Sequence, residues 1–241
     1  MIGIGGRNVD FRWTKGSDGY PTIQKMLSSG CYLARCISLP EMEEGAAEYM
    51  AHGIRVIAVY TGESDQAGRY ILKSCAALQI GNEPAFAYPN DQASWPNGTT
   101  DDVISVWSYI KTTLVPITHP EGLPLIGPGF WAQDYAKWGL VAPYLPGISA
   151  AAVHCYPGPS NQTPVSLGFA LRSFRNIRPD LPLIGTECHL DTQPLAYARI
   201  IDTYCDARLW MGYSGAEVKQ KTVSGFESNP AYSILALSRF L

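Results

Sequence analysis

The sequence predicts an α/β protein built as a single (β/α)8 barrel, and three observations support this prediction. Short apolar or β-branched runs alternate with longer amphipathic stretches along the whole chain. Each run is bounded by Gly, Pro or a polar cluster, as expected for strands that are buried on both faces. The chain has 241 residues, close to the roughly 250 of a typical (β/α)8 barrel. We therefore expect residues 1–241 to form one domain.

Eight segments are predicted to be strands: Ile2–Gly5, Leu33–Ser38, Arg55–Tyr60, Ala77–Gly81, Leu125–Gly127, Ala150–His154, Leu183–Thr186 and Leu209–Tyr213. Eight helix candidates follow them in turn: Tyr20–Ser29, Glu41–His52, Gln66–Ser74, Asp101–Thr118, Tyr135–Leu145, Pro164–Ile177, Pro194–Asp206 and Asn229–Phe240. Several begin with helix start signals, such as Asn229-Pro230 before the last one. Right-handed crossovers between parallel strands make a closed barrel the natural arrangement.

An open, doubly wound sheet is the competing architecture. Such a sheet normally carries a Gly-rich turn between a strand and a helix, where it binds a nucleotide. The nearest match is Gly3-Ile4-Gly5-Gly6, whose spacing is wrong. No acidic residue follows a second strand at the expected distance, so the sequence favours the barrel and implies no cofactor.

Charge and hydropathy limit the possible partners. The formal net charge is −3 and the pI is about 5.8, which argues against nucleic acid or an anionic membrane as the main partner. No apolar stretch approaches the roughly 18 residues that a membrane span needs. No signal peptide is visible at the N-terminus. We expect a protein that is not exported by this route, or one whose leader has been removed.

The six cysteines are Cys31, Cys36, Cys75, Cys155, Cys188 and Cys205. Most of them lie inside apolar runs, whereas disulfide frameworks are usually a feature of small secreted domains. Buried free thiols are therefore the favoured interpretation.

The predicted strand ends carry the residues that suggest chemistry. In a barrel of this kind the catalytic groups lie at the carboxyl ends of the strands and on the loops that follow. Reading those ends in order gives Arg35 on the second strand, Asn82-Glu83-Pro84 after the fourth, His154-Cys155-Tyr156 after the sixth, Glu187 after the seventh, and Trp210 with Tyr213 on the eighth.

Two carboxylates at the ends of apolar strands are costly in a purely structural role, because a buried charge must be paired or neutralised. Cleavage of a glycosidic bond requires two such groups, one to protonate the leaving oxygen and one to attack or stabilise the anomeric carbon. Arg35 lies in an apolar strand and needs a buried anion. If that anion is Glu187, it stays ionised, and Glu83 facing this negative charge keeps its proton.

With these residues in this order, the chain resembles glycoside hydrolase clan A. The resemblance rests on Asn-Glu-Pro after strand four, the strand-two Arg, His-x-Tyr after strand six, Glu after strand seven and an aromatic strand eight. It implies a retaining O-glycosidase acting on β-linked glycans, with Glu83 as acid/base and Glu187 as nucleophile. It also implies that Asn82 hydrogen-bonds the sugar 2-hydroxyl.

The same resemblance implies supporting roles for other residues. Arg35 would hold Glu187 ionised, and His154 and Tyr156 would orient the carboxylates or the sugar. Trp210, or alternatively Tyr213, would form the apolar floor beneath the sugar ring. Aromatic residues near loop ends, Trp131 among them, also suit stacking against the C–H faces of a sugar.

Three other functions are possible for these residues: a metal site, a serine hydrolase and a carbohydrate-binding barrel. His154-Cys155 and Glu187-Cys188-His189 place possible metal ligands close together, but adjacent strand residues point to opposite faces, so no metal site is expected. There is no G-x-S-x-G motif for a serine hydrolase. A carbohydrate-binding barrel without turnover, as a module of a larger assembly, remains the alternative to an enzyme.

Overall fold

A computed structural model describes residues 2–4, 33–60, 70–83, 100–155, 163–188 and 194–210, with the backbone alone for 2–4, 100–102, 194–195 and 210. The strands are β1 (Ile2–Ile4), β2 (Leu33–Ile37), β3 (Arg55–Tyr60), β4 (Ala77–Ile80), β5 (Leu125–Trp131), β6 (Ile148–Cys155), β7 (Leu183–Cys188) and β8 (Ala207–Trp210). Neighbours in sequence are neighbours in the sheet, and all pairs are parallel. The short strand β1 pairs with both β2 and β8.

The helices lie between the strands in sequence. They are α1 (Glu43–Ala51), α2 (Thr100–Tyr109), α3 (Val115–Thr118), α4 (Tyr135–Val141), α5 (Pro164–Ile177) and α6 (Pro194–Tyr204). A π-helical stretch, Ile110–Leu114, joins α2 to α3, and 3-10 turns occupy Pro40–Met42, Ala132–Asp134 and Ala142–Tyr144. The start of α5 is fixed by a capping box, in which Ser166 N–H donates to the Thr163 hydroxyl.

The predicted parallel α/β barrel is confirmed at the level of this topology. The helices predicted at Tyr20–Ser29 and Asn229–Phe240 lie outside the described residues, so the complete set of eight strand–helix units stays a prediction. Strand β8 begins two residues before its predicted start at Leu209, and Tyr213 falls outside the described ranges. Among the described helices, none combines the length and apolar character that a membrane span requires.

The helix predicted over Gln66–Ser74 is wrong for its described part, because residues 70–74 are not helical. The Glu43 carboxylate accepts hydrogen bonds from Lys73 N–H at 3.0 Å and Ser74 N–H at 2.7 Å. Leu72 N–H donates to the Ser38 hydroxyl at 2.9 Å. These tertiary contacts use the backbone donors that a helix would need, and they hold the segment against β2 and α1.

The core consists of two apolar layers separated by the sheet. The outer layer lies between strands and helices and includes Ala34, Phe130, Trp138 and Leu167. The inner layer fills the lower part of the barrel with small and branched side chains: Leu33, Ile57, Ile126, Ala150, Ala152 and Leu209. Because side chains alternate along a strand, residues such as Arg35 face the barrel interior above this inner layer.

Extra residues on β5, β6 and β7 reverse this alternation, and the one on β6 is Ser149, between the partners of Leu125 and Ile126. On β7, Gly185 pairs with Val153 and Glu187 pairs with His154, so Thr186 has no partner on β6. On β5, two residues separate Ile126 from Gly129, whereas one residue separates their partners on β6. Bulges of this kind bend a strand and redirect the side chains beyond them. The β7 bulge lies near the carboxyl end of its strand, and the β5 bulge lies near the middle of its strand.

The predicted burial of the thiols is confirmed for Cys36, Cys75, Cys155 and Cys188, while Cys205 is half-buried. Cys31 lies outside the described residues. Burial raises the pKa of Cys36 and of Cys75 to about 12. These thiols are therefore protonated at neutral pH.

Candidate active site

Arg35 and Glu187 form a buried ion pair across the barrel interior. Arg35 Nη1 donates to Glu187 Oε1 at 2.6 Å, and the two side chains are only 5% and 8% exposed. A buried guanidinium requires an anion close by, and Glu187 supplies it. The structure therefore brings together the two residues that the sequence analysis paired.

The rest of the Arg35 guanidinium is also engaged. Its Nε donates to Gln79 Oε1 at 3.0 Å, and its Nη2 donates to Asn82 Oδ1. Gln79 Nε2 in turn donates to the carbonyl of Gly81 at 2.8 Å. Sequence reasoning missed Gln79, although an amide inside the apolar run Ala77–Ile80 was a visible signal.

Glu83 lies at the carboxyl end of β4 in an uncommon backbone conformation. Its φ of 48° is in the left-handed region, which a residue with a side chain rarely adopts. Glu83 N–H donates to the Gly129 carbonyl at 2.8 Å, and Asn82 forms an isolated bridge with Gly129. Local strain of this sort is concentrated at functional sites. The backbone thus fixes Glu83 against β5.

Two side chains contact the Glu83 carboxylate at the same oxygen. Trp131 Nε1 donates to Glu83 Oε1 at 2.6 Å, and His154 Nδ1 lies 2.7 Å from that oxygen. His154 Nδ1 also lies 3.7 Å from Glu187 Oε2. The fully buried imidazole lies between the two carboxylates inside the barrel.

Gly129 makes room for this arrangement. A Cβ at position 129 would lie 2.3 Å from His154 Nε2 and 2.7 Å from Gln79 Nε2. Contacts that short do not occur, so any side chain would displace the histidine or the amide. The glycine on β5 therefore allows the side chains of His154 and Gln79, from the strands on either side of it, to lie against its backbone.

Glu83, His154 and Glu187 each bring one donor atom within 4.8 Å of the others. In the described part of the chain this is the one such group of three His, Cys, Asp or Glu residues that could hold a metal ion. Adjacent residues of one strand point to opposite faces, whereas Glu83, His154 and Glu187 come from three different strands and face one another. Arg35 already supplies a positive charge beside Glu187, which makes a cation the weaker interpretation.

The other sequence-predicted site residues are only partly placed. Trp210 ends β8, where its backbone pairs with Cys188 and Ile4. Tyr156 and Tyr213 lie outside the described residues. Trp131 donates its indole N–H to Glu83, and its stacking against a sugar ring stays a prediction.

Several solved structures have a fold similar to that of this chain. An endo-β-1,3-glucanase of GH128 subgroup I from Amycolatopsis mediterranei, solved with laminaritriose, is 15% identical with a TM-score of 0.59, and the match covers 98% of each chain. A GH5-4 broad-specificity endoglucanase from an uncultured bacterium is 12% identical with a TM-score of 0.61, covering 100% of this chain and 94% of that one.

A third neighbour is Saccharomyces cerevisiae Gas2p in complex with laminaritetraose and laminaripentaose. It is 13% identical with a TM-score of 0.59, and the match covers 98% of this chain and 62% of that one. The structural neighbours are glycoside hydrolases. At these identities the likeness is one of fold. No protein-family model matches the sequence, and no curated protein matches it significantly.

Proposed function

We propose that this chain is a retaining β-glycoside hydrolase in which Glu83 is the acid/base and Glu187 the nucleophile. The observation that carries the proposal is the pair of carboxylates at the ends of β4 and β7, with oxygens no more than 4.8 Å apart. Retaining enzymes hold their carboxyl groups about 5–5.5 Å apart, and inverting enzymes about 6.5–9.5 Å. The short separation leaves no room for a water between Glu187 and the sugar.

The surroundings of the two carboxylates support this division of roles. Glu187 is bonded to Arg35, which favours its ionised, nucleophilic form. Its Oε1 is engaged by Arg35, so Oε2 is the oxygen that attacks the anomeric carbon. Glu83 is more exposed, at 20% of its side chain, and can reach a leaving group. Trp131 and His154 both hold its Oε1, so Oε2 exchanges the proton.

The reaction then proceeds in two displacements. Glu187 attacks the anomeric carbon while Glu83 donates its proton to the departing oxygen, leaving a covalent glycosyl ester on Glu187. Glu83, now a carboxylate, removes a proton from water, and the water attacks the anomeric carbon, breaks its bond to the Glu187 oxygen and releases Glu187 as a carboxylate. Asn82 Oδ1 is held by Arg35, and its NH2 group donates to the sugar 2-hydroxyl.

β-1,3-Glucans are the substrate class we propose to test first. The Amycolatopsis enzyme is an endo-β-1,3-glucanase solved with laminaritriose, and the yeast protein is bound to longer laminari-oligosaccharides. We also propose that residues 1–241 complete one (β/α)8 domain, that Trp210 or Tyr213 lies beneath the sugar ring, and that Tyr156 assists in orienting it.

A proton NMR time course on the wild-type protein tests the mechanism. With laminari-oligosaccharides or an aryl β-glucoside, the first product should carry the β configuration of the substrate. Azide added to Glu187→Ala should give a glycosyl azide of inverted configuration, and Glu83→Ala with an activated substrate should give a retained one. Glu44→Ala, which removes an exposed glutamate on α1, is the control and should keep full activity.

An initial product of inverted configuration would overturn the double displacement. Binding of oligosaccharides without turnover, unaffected by Glu187→Ala, would favour the non-catalytic carbohydrate-binding barrel instead.

A further inference from the structure

Gln79 is a buried polar residue to which neither the proposed chemistry nor the sequence analysis gives a role. Its side chain is fully buried inside the barrel, three residues before Asn82. Burying an amide is costly unless both of its ends are hydrogen-bonded. In Gln79 both ends are: Oε1 accepts from Arg35 Nε, and Nε2 donates to the Gly81 carbonyl.

The chemistry of the partners fixes the orientation of this amide. A guanidinium can only donate and a carbonyl can only accept, so the oxygen must face Arg35 and the nitrogen must face Gly81. Gly129 leaves room for the same NH2 group on the β5 side, since a Cβ there would lie 2.7 Å from it. The Gln79 side chain therefore has one arrangement available.

Each bond of Gln79 leads to a different proposed catalytic carboxylate. Through Arg35 it acts on Glu187, because Gln79 holds Nε while Nη1 of the same rigid plane holds Glu187. Through Gly81 it acts on Glu83, because the Gly81 carbonyl belongs to the peptide that leads into Asn82 and Glu83. Gly81 has a φ of 94°, and its carbonyl also accepts from Gly129 N–H.

We propose that Gln79 is a positioning residue that sets the placement of Glu187 relative to Glu83 by bonding to the supports of both. The effect of Gln79 on turnover rests on the proposed function. Its effect on the position of Arg35 can be tested without measuring enzyme activity. Misplacement of a reacting group by about 1 Å can cost about 100-fold in rate, so a residue that touches no substrate can still govern turnover.

Two variants of similar size separate positioning from packing. Gln79→Met fills the space and removes both hydrogen bonds. It should lower kcat about 100-fold while KM changes only a few-fold, since its effect is on transition-state geometry. Gln79→Glu keeps an acceptor for Arg35 but adds a carboxylate that competes with Glu187 for it. Its kcat/KM profile should have an acidic limb displaced to higher pH.

Ile57→Val is the matched control. Ile57 packs in the inner apolar layer, and its partner on β4 is Ala77, two residues before Gln79. The control should lower thermal stability slightly and leave kcat and the pH profile unchanged. A Gln79→Met protein that folds and keeps kcat within a few-fold, or a Gln79→Glu protein with the wild-type acidic limb, would overturn the inference.

A measurement on the protein without substrate distinguishes this inference from the proposed function. In 15N-detected spectra the Arg35 Nε–H should exchange slowly with solvent in the wild type and in Ile57→Val, and quickly in Gln79→Met. If that holds but the wild-type chain cleaves no β-glycan, the proposed function fails and the positioning of Arg35 stands. If Nε–H exchange is the same in all three proteins, the positioning role is refuted.

Discussion

His154 and Glu187 are register partners on neighbouring parallel strands, and they are partners only because β7 carries one residue more than β6 at this point. If β7 were regular here, Thr186 would pair with His154, and continued alternation would place Glu187 on the face of Leu183, which packs in the outer layer. The bulge turns the carboxylate into the barrel, where Arg35 meets it. The bulge therefore determines that Glu187, and not Thr186, faces Arg35.

Replacing Arg35 by Met should both inactivate and destabilise the protein. The ion pair is almost fully buried, so Glu187 would be left as an uncompensated charge, at a cost of about 3–5 kcal/mol. Urea unfolding and turnover on the same preparation measure the two effects. Arg35→Met/Glu187→Gln should be more stable than Arg35→Met alone, because it removes the stranded charge. A double variant that is less stable would contradict this account.

Replacing Glu83 by Gly or by Ala should give two proteins of different stability, neither of which cleaves a substrate whose leaving group needs a proton. Position 83 adopts a φ of 48°, which is unfavourable for any residue with a Cβ by about 1 kcal/mol. Glu83→Gly should therefore have the larger free energy of unfolding, although Gly usually costs stability elsewhere. Thermal melts of the pair measure the difference. The reverse order would show that position 83 is unstrained.

Glu43 should make the protein sensitive to acid. Burial raises its pKa, but hydrogen bonds from Ser74, Tyr70 and Lys73 outweigh this and hold it below the ordinary value of 4.5. A carboxyl group whose folded pKa is lowered stabilises the fold above its unfolded value and loses this effect as the pH falls through the folded value. Glu43→Gln should therefore melt below the wild type at neutral pH.

The difference between Glu43→Gln and the wild type should shrink as the pH falls below the ordinary carboxyl value and disappear below the lowered folded pKa of Glu43. Glu44→Gln, at the next and exposed position of α1, should follow the wild type throughout. A Glu43→Gln protein whose deficit persists undiminished in acid would show that the carboxylate charge is not what holds residues 70–74.

The buried thiols should be inert in the folded protein. Cys36 and Cys75 have a pKa raised to about 12 by burial, so hardly any reactive thiolate exists at mildly alkaline pH. A chromogenic disulfide reagent should give the same native-state rate for the wild type, Cys36→Ser and Cys75→Ser. In urea each variant should lose one reacting thiol. A faster native-state phase that disappears in either variant would contradict this.

Much of the site was accessible from sequence because its residues interrupt apolar strands. Arg35 lies between two small buried residues of β2, and Asn82 and Glu83 directly follow β4. Each charged residue stands out against its neighbours, and strand order alone brings them to one end of the barrel. The pairing of Arg35 with Glu187 followed from the need of a buried cation for an anion.

Other features depended on distant contacts that no local pattern encodes. The direction of Glu187 depends on a bulge, and a period of two predicts the wrong face for it. The importance of Gln79 depends on the reach of Arg35 from the other side of β3. Residues 70–74 carry a helical pattern, but hydrogen bonds to Glu43 outweigh it. Local propensity yields to tertiary contacts in such segments.

The bulge in β5 has a practical meaning for anyone who alters this barrel. Gly127 and Pro128 together stand opposite a single residue of β6, so deleting one of them would remove the bulge and leave Gly129 and Trp131 opposite their partners. An insertion or deletion beyond the bulge would instead shift the residues that follow by one position and turn them to the other face. Single-residue insertions and deletions near the ends of β5 and β7 are therefore a separate axis of variation from substitutions. A set of variants that keeps every active-site residue and changes only the number of residues in β5 or β7 would therefore turn catalytic side chains toward or away from the barrel interior.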